Sequence, residues 1–424
     1  MTDDHTPPTV AALSDDRSAA VVDVLLDILA IDTQNPPGET APLAEYIEAN
    51  LQDAGIPTER VAVDPAKPNV LAHVEGDRDE TLLFNGHMDT VPYDADAWDH
   101  DPLGERDGDR IFGRGATDMK GPLAAMLVVA RAMATMDEDP PLDVAFAFVS
   151  EEEVPGDAGL ESLLEADRLH AEACIVGENT CENGRHSVTV ADRGSIWLTL
   201  RAVGEAAHGS RPVFGTNAID RLYAAIDDLR ESLTHRELSL DTRLDRILEE
   251  SVDFYGPMIG REQAWALFEH PTVNLGTFDG GEAVNSVPES ATARLDVRLT
   301  AGVETPAVLA DIRGCLQGHP GVTIAESSWS VGTFEDPEGP LVSAVAETAE
   351  SVVGERVYRR SATGGGDAKK LRNAGISTVE FALGTDTAHA VDEYTTTDAL
   401  AANVEVYARV PSVLASSYEN EDPR

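Results

Sequence analysis

The chain has few cations, few cysteines and no long apolar run, and each shortage excludes a class of protein. Among its 424 residues, 31 Lys and Arg stand against 77 Asp and Glu, which gives a net charge of −46 at pH 7. Nucleic acid and anionic membranes would be repelled by such a charge, so we expect neither as a partner. Because salt screens repulsion between surface carboxylates, the composition is typical of an intracellular protein from an extreme halophile.

The three cysteines, Cys174, Cys181 and Cys315, are too few and too irregularly spaced for a disulfide framework or a zinc finger. The first residues lack the basic and apolar regions of a signal peptide, and no apolar segment approaches the length of a membrane span. We therefore expect a cytoplasmic, reduced protein. Cys181 has no pattern of His or Cys around it, so we interpret it as structural.

One apolar segment ends in a pair of residues typical of metal sites. Residues 82–86 (LLFNG) run into His87 and Asp89. In an extended chain residues i and i+2 project to the same side, so these two side chains leave the strand together. A metal-bound imidazole usually donates its second ring N–H to a carboxylate, which Asp89 would supply. Taken alone, a solvated His and Asp at a strand end explain the pattern equally well.

The same construction recurs along the chain. Residues 143–149 lead into Glu151, Glu152 and Glu153, residues 173–176 lead into Glu178, residues 378–383 are followed by His389, and Asp118 lies in a Gly-rich loop that opens a helix. In open α/β sheets the functional crevice lies at the carboxyl ends of the strands. Because each of these segments brings an acid or an imidazole to that edge, the sequence predicts a bound metal there.

The order of predicted elements indicates one domain inserted into another. After an acidic leader (1–16), residues 17–187 alternate strands with helices, which favours an α/β fold with a mixed, largely parallel sheet flanked by helices. Residues 188–332 begin with a long strand at 187–203 and follow the β-α-β-β-α-β order of a ferredoxin-like α+β domain. A charged helical insertion at about 237–270 has no assigned role. Residues 333–424 return to the first domain and carry His389.

Several motifs together resemble the M20 family of metallopeptidases, which includes desuccinylases, deacetylases, aminoacylase-1 and glutamate carboxypeptidases. In family order they are GHMDTVP at 86–92, GRGATDMKG at 113–121, the acidic triplet at 151–153, VGE at 176–178, AHGSRP at 207–212 and AHAVDE at 388–393. The segment GGGD at 364–367 followed by TVEFALG is most similar to the desuccinylase branch. The resemblance covers nearly the whole chain and implies a zinc-exopeptidase-like catalytic domain with an inserted dimerisation domain.

The resemblance also implies a site for two divalent metal ions. Zn²⁺ is the leading candidate, and Co²⁺ and Mn²⁺ are the alternatives. His87, Asp118 and Glu178 would hold one ion, and Asp118, Glu153 and His389 the other. Imidazole and carboxylate ligands suit these metals. Asp89 would not bind a metal ion itself but would accept the second ring N–H of His87.

The acidic triplet allows two alignments. The family usually has Asp-Glu-Glu, in which the first Glu is the general base and the second a ligand. Aligned in this way, Glu152 is the base and Glu153 the ligand. A shift by one residue would make Glu151 the base and Glu152 the ligand.

Residues of the inserted domain are expected to complete the site. By resemblance, His208 would bind the reaction's oxyanion in the active site of a neighbouring subunit, which implies a homodimer. The alternative is that His208 is an ordinary surface histidine.

Arg298 would bind a substrate carboxylate, helped by Asn285 and by the loop that contains Gly364 and Gly365. The alternative is that Arg298 forms only a surface ion pair. A guanidinium matches a carboxylate in two-point geometry.

The sequence therefore predicts a metal-dependent amidohydrolase that removes the acyl group from a small N-acyl amino acid, such as N-succinyl-diaminopimelate or an N-acetylated ornithine or lysine-type compound. Glu152 would serve as general base and acid. A dipeptidase or carboxypeptidase of the same family would use the same residues. A non-catalytic binding protein would be expected to lack Glu152 or a ligand, and none is missing here.

Overall fold

The computed structural model describes residues 16–421, so the leader expected at 1–16 lies almost wholly outside the described residues. The helices are α1 (Asp16–Leu29), α2 (Ala41–Asp53), α3 (Lys120–Ala134), α4 (Leu160–Glu165), α5 (Ala218–Thr234), α6 (Asp245–Ile259), α7 (Arg261–Glu269), α8 (Thr305–Leu316), α9 (Pro340–Val353), α10 (Asp367–Asn373) and α11 (Thr397–Glu421). None of the helices in this described part is both long and apolar enough to span a membrane.

The strands, in chain order, are β1 (Thr58–Asp64), β2 (Lys67–Val74), β3 (Thr81–His87), β4 (Glu105–Asp107), β5 (Arg110–Phe112), β6 (Asp143–Val149), β7 (Ala173–Val176), β8 (His186–Ala191), β9 (Gly194–Val203), β10 (Ala207–His208), β11 (Thr272–Gly280), β12 (Ser286–Val287), β13 (Ser290–Leu299), β14 (Val322–Ser330), β15 (Val357–Ser361), β16 (Ser377–Glu380) and β17 (Tyr394–Thr396).

The described chain divides into two compact units. The first contains the chain up to Val190, Glu335–Arg360 and the chain from Gly366 onward; the second contains Ala191–Phe334 and Ser361–Gly365. The short segment Ser361–Gly365 joins the second unit through main-chain hydrogen bonds, since Ala362 N–H donates to Ala191 and Arg193 N–H donates to Gly364. The division expected from sequence, with bounds at 188 and 332, did not include this segment.

The first unit is built on an eight-stranded sheet in the order β1-β2-β6-β3-β7-β16-β8-β15. Its central strands β6, β3, β7 and β16 are parallel, and β1, β2 and β8 pair antiparallel. The prediction of a mixed, largely parallel sheet flanked by helices is confirmed. His87, the last residue of β3, pairs with Val149, the last residue of β6, so the two strands end at the same edge of the sheet.

Both faces of the central strands are covered, which explains their continuous apolar sequences. On one face of β3, Phe84 contacts Tyr407 of α11 at a ring-centroid distance of 5.2 Å. On the other face, Leu83 belongs to a buried cluster with side chains of α4 and α10. The sheet therefore forms the middle layer of the unit, and its carboxyl edge is left for the loops that carry the polar residues.

The second unit follows the order β9-α5-β11-β13-α8-β14, with a four-stranded antiparallel sheet arranged β11-β13-β9-β14. This is the β-α-β-β-α-β plan expected from sequence. Helices α5 and α8 bury one face of the sheet in a single apolar cluster. The charged insertion forms α6 and α7.

The expectation of one long strand at 187–203 is wrong. The segment forms β8 in the first unit's sheet and β9 in the second unit's sheet, separated at Asp192 and Arg193. The Asp192 carboxylate accepts hydrogen bonds from the Thr333 N–H at 3.2 Å and from the Thr333 hydroxyl at 2.6 Å. These tertiary contacts hold the break, and apolar alternation on both sides of it gives no sign of it in the sequence.

Candidate metal centre

Strand ends and two loops bring the predicted ligands together. His87 ends β3, Glu178 lies just beyond β7, and the acidic triplet follows β6. His389 comes from the loop after β16, and Asp118 from the loop before α3. All five predicted ligands lie in the first unit.

Asp118 lies between the two imidazoles. Its Oδ1 is 3.2 Å from His87 Nε2, and its Oδ2 is 3.1 Å from His389 Nε2. Glu178 Oε1 is 3.3 Å from His87 Nε2, and Glu153 Oε2 is 3.2 Å from His389 Nε2. Each imidazole therefore faces Asp118 and one Glu, an arrangement consistent with the two ligand sets that the family resemblance implies.

Asp89 is fully buried and connects His87 to the acidic triplet. Its Oδ1 lies 3.2 Å from His87 Nδ1 and accepts the Glu152 N–H at 3.0 Å. Its Oδ2 accepts the Glu153 N–H at 3.3 Å and the Asn35 amide at 2.8 Å. The Asp89 carboxylate thus orients the His87 imidazole and the backbone of Glu152 and Glu153.

The three acids of the triplet point in different directions. Glu151 is buried, pairs with Lys67 Nζ at 2.6 Å and accepts the Ala158 N–H at 2.8 Å. Glu152 has a carboxylate oxygen within 4.8 Å of ligand atoms of His87 and Glu178. The backbone of Gly366 lies close to this carboxylate, since a Cβ added to Gly366 would lie 2.9 Å from Glu152 Oε1. Glu152 thus lies beside His87 and Glu178, while Glu153 faces His389.

The pKa values in the site follow from burial and crowding. Burial raises the pKa of Glu152 to about 7, an effect opposed by His87 and strengthened by Asp367 and Glu153. Burial, followed by the charge of Asp118, also holds the pKa of Glu178 well above its usual range. Hydrogen bonds to Asp118 and Glu153 raise the pKa of His389 to about 10.

The donor set fits divalent metal ions. Atoms of His87, Asp118 and Glu153, and separately of His87, Glu152 and Glu178, lie within 4.8 Å of one another. Four carboxylates gathered around two imidazoles repel one another unless cations neutralise them. Nitrogen and oxygen donors in this number suit Zn²⁺, Co²⁺ or Mn²⁺.

Comparison with known proteins agrees with this site. The model of peptidase family M20/M25/M40 matches residues 83–412. The chain belongs to this family. It is 28% identical over 405 residues to a probable succinyl-diaminopimelate desuccinylase of Staphylococcus epidermidis, which covers 91% of this chain and 96% of that protein.

A succinyl-diaminopimelate desuccinylase of Cereibacter sphaeroides is 32% identical over 362 residues, 82% of this chain and 87% of that protein. Among solved structures, the M20 family metallo-carboxypeptidase Sso-CP2 from Sulfolobus solfataricus superimposes with a TM-score of 0.77 at 22% identity, covering 93% of this chain and 99% of that one. The chain is thus a metal-dependent M20 hydrolase of amide bonds, of a family that uses a dinuclear metal site.

The remaining predicted site residues of this M20 protein lie in the second unit. His208 of β10 is opposite Ser286 of β12, and the Gly209 N–H donates to the Asn285 carbonyl at 2.6 Å. His208 Nδ1 accepts the Ser210 N–H at 3.2 Å, so the neutral ring carries its proton on Nε2, where it can be donated. Both His208 and Asn285 are exposed.

Arg298 forms an ion pair within its own strand. Its Nε lies 2.8 Å from Asp296 Oδ1, and its Nη2 donates to Asp296 Oδ2 at 3.0 Å. Arg193 donates from Nη2 to the Arg298 carbonyl at 3.0 Å, and its own N–H donates to Gly364. Gly365 follows in the same loop and is exposed. Arg193 was not predicted from sequence, because one continuous strand was expected at 187–203 and the break beside Arg193 is visible only in the structure.

Two further residues that support the site were also missed. Asn35, in the turn NPPG, holds Asp89, and Lys67 holds Glu151. Neither has a local pattern that marks a function, because each acts on a residue that is distant in sequence.

Proposed function

We propose that this enzyme removes the acyl group from an N-acyl amino acid, with N-succinyl-diaminopimelate as the leading candidate and N-acetylated ornithine or lysine-type compounds as alternatives. The two named relatives are desuccinylases, which supports the succinyl group. The observation that carries the reaction type is the position of Glu152, whose carboxylate has an oxygen within 4.8 Å of ligand atoms of His87 and Glu178. A cytoplasmic location and a halophilic source stay predictions that rest on composition.

Glu152 has the properties of a general base and acid. Two bound divalent ions would polarise the amide carbonyl and make water acidic enough to react near neutral pH. Zn²⁺ is the leading candidate for these ions. A carboxylate within reach of the reacting water can accept its proton and return it later in the reaction. Glu152 would take the proton of the attacking water and deliver it to the leaving amine nitrogen. The main-chain bond to Asp89 keeps the Glu152 segment in place.

The neighbouring guanidinium groups of Arg193 and Arg298 favour a substrate with carboxylates. Arg193 is buried, and burial followed by the charge of Arg298 lowers the pKa of Arg193 to about 10. Because two neighbouring cations repel each other, anions stabilise the pair, and Asp296 supplies one. A succinyl group or the α-carboxylate of the amino acid would supply another. We propose that Arg298, with Arg193 and the Gly364–Gly365 loop, binds such a group.

Exposed apolar side chains beside His208 support a homodimer. Val213 and Phe214 follow the His208 loop and are 87% and 72% exposed, and Val284, next to Asn285, is also exposed. Apolar groups gathered in this way usually mark a protein-protein contact. We propose that a second copy covers them, and that His208 Nε2 stabilises the oxyanion in the partner's site.

The substrate class is tested by comparing succinyl-, acetyl- and peptidyl-amino acids at molar KCl with Zn²⁺ or Co²⁺. We expect the highest kcat/KM for the succinyl compound. Loss of a charged hydrogen bond costs about 1.5–3 kcal/mol, so Arg298→Ala should raise its KM roughly 10- to 150-fold. Arg294→Ala, on the same strand, is the matched control. A preference for peptides would instead assign a dipeptidase or carboxypeptidase activity.

The role of His208 across a subunit boundary is tested by mixing two inactive variants. His208→Ala should keep its fold and metals yet lose about 10²–10³ in rate, the usual effect of removing one oxyanion donor. Mixed with Glu152→Gln it should regain activity, because a mixed dimer has one site with both groups intact. With free exchange about half the dimers are mixed, so recovery should approach about a quarter of wild type.

The control for this mixing experiment is His235→Ala, which removes an exposed histidine of the same unit that bonds only the Glu231 carbonyl among the contacts described. It should retain full activity alone. If subunit exchange is verified and the mixture of His208→Ala with Glu152→Gln stays inactive, His208 does not act in a partner's site.

A further inference from the structure

A buried ion pair lies directly behind two of the proposed metal ligands. Glu393 is fully buried and Arg114 is 5% exposed, and Arg114 Nη1 donates to Glu393 Oε2 at 2.7 Å. The Trp98 ring lies 5.3 Å from the Arg114 guanidinium carbon and covers it. A charged pair removed from water in this way loses hydration that its mutual attraction only partly replaces, so stability alone gives little reason for such a pair.

The second oxygen of Glu393 binds the backbone of Asp118, which would be a ligand of both metal ions. Glu393 Oε1 accepts the N–H groups of Thr117 and Asp118, each at 3.0 Å. The Glu393 carbonyl also accepts the Gly113 N–H at 2.9 Å, at the start of the same loop. The carboxylate therefore holds the loop on which Asp118 lies, at the residue itself.

The guanidinium of Arg114 contacts His389, a second proposed metal ligand. Its Nη2 donates to the His389 carbonyl at 3.4 Å, although the two residues are 275 positions apart in the chain. His389 has φ of 63°, a left-handed conformation that a residue with a side chain adopts only when its surroundings hold it there. Arg114 binds the carbonyl of that residue and supplies part of this restraint.

We propose that Glu393 and Arg114 are positioning residues that set the distance between Asp118 and His389, and so tune the affinity of the site for its metal ions. This rests on the proposed roles of Asp118 and His389 as ligands. Through one set of hydrogen bonds the pair joins the loop of Asp118 to the loop of His389, and Arg114 and His389 are 275 residues apart in sequence. Groups behind the ligands of a metal site typically change metal affinity by about 10- to 100-fold when they are replaced.

The test measures metal binding on the full-length protein without substrate. Glu393→Gln removes the charge that faces Arg114, and Arg114→Lys keeps the charge pair but replaces two guanidinium nitrogens with one ammonium. Glu405→Gln is the matched control, since it breaks the partly exposed pair with Arg409 on α11. Zn²⁺ and Co²⁺ affinities are measured by competition with a coloured chelator, with the Co²⁺ absorption spectrum as a report on ligand geometry.

We expect both site variants to bind Zn²⁺ and Co²⁺ about 10- to 100-fold more weakly, measured on folded protein, and to shift the Co²⁺ bands. Glu405→Gln should match wild type in both. If Glu393→Gln does not fold, Arg114→Lys decides the question, because its buried charges remain balanced. Wild-type affinity and spectrum in the folded variants would overturn the proposal. A wild-type protein that binds no divalent metal would instead refute the site assignment itself.

Discussion

Glu152→Gln is expected to keep both metal ions and to lose nearly all turnover. Glutamine has the same shape but cannot accept and return a proton, and such catalysis contributes about 10²–10⁴ in rate. The Glu152 main chain stays bonded to Asp89, so the neighbouring ligands should not move. Steady-state kinetics and metal analysis of the purified variant measure the two effects separately.

The neighbouring acids provide the contrast. Glu153→Gln should lose metal, because Glu153 faces His389 at 3.2 Å in one of the two ligand sets. Glu151→Gln is the control: it should lose only the ion pair with Lys67 and keep metal and base. Full loss of turnover in Glu151→Gln together with loss of metal in Glu152→Gln would mean that the alignment is shifted by one residue.

Removal of the metal ions should abolish hydrolysis. Metal ions stabilise the transition state of such reactions by several kcal/mol, which corresponds to a loss of about 1000-fold or more. Dialysis against a chelator followed by addition of Zn²⁺, Co²⁺ or Mn²⁺ should restore the rate, and Mg²⁺ serves as a control with a poor fit to imidazole ligands. Full activity in protein shown to be metal-free would refute the two-metal reading.

Binding of metal to the metal-free protein should also release protons. Without metal, hydrogen bonds to Asp118 and Glu153 raise the pKa of His389 to about 10, so its imidazole is protonated at pH 7 to 8. A metal binds only the neutral ring, and the proton must leave. Metal binding should therefore release at least one proton, and apparent affinity should increase as pH rises toward 10. Calorimetry in buffers of different ionisation enthalpy measures this release; uptake of protons would contradict it.

Much of the metal centre could be predicted because its ligands follow strands. An apolar strand is recognisable from its composition, and parallel strands necessarily end at a shared edge. His87 and Glu178 were placed together on this basis, and they lie 3.3 Å apart. Asp118 and His389 lie on loops that follow or precede regular elements, so the same pattern included them, whereas the division of the ligands between two ions came from the resemblance to a family.

Other features depended on contacts between distant residues. The break between β8 and β9 is held by Asp192 and Thr333, and no local pattern marks it. The assignment of Ser361–Gly365 to the second unit likewise depends on hydrogen bonds to Ala191 and Arg193. Local preferences act over a few residues, whereas these pairings join segments more than a hundred residues apart.

By itself the sequence determined the two-unit plan, the largely parallel sheet and the set of residues able to bind metal. The reason is that periodicity and motif spacing are local properties. Only the tertiary structure decided which way each acid of the triplet faces, because Lys67, Asp89 and His389 come from three other segments. It also decided that Glu393 and Arg114 join the two metal-ligand loops, since an ion pair 279 residues apart in sequence forms only when the sheet has assembled.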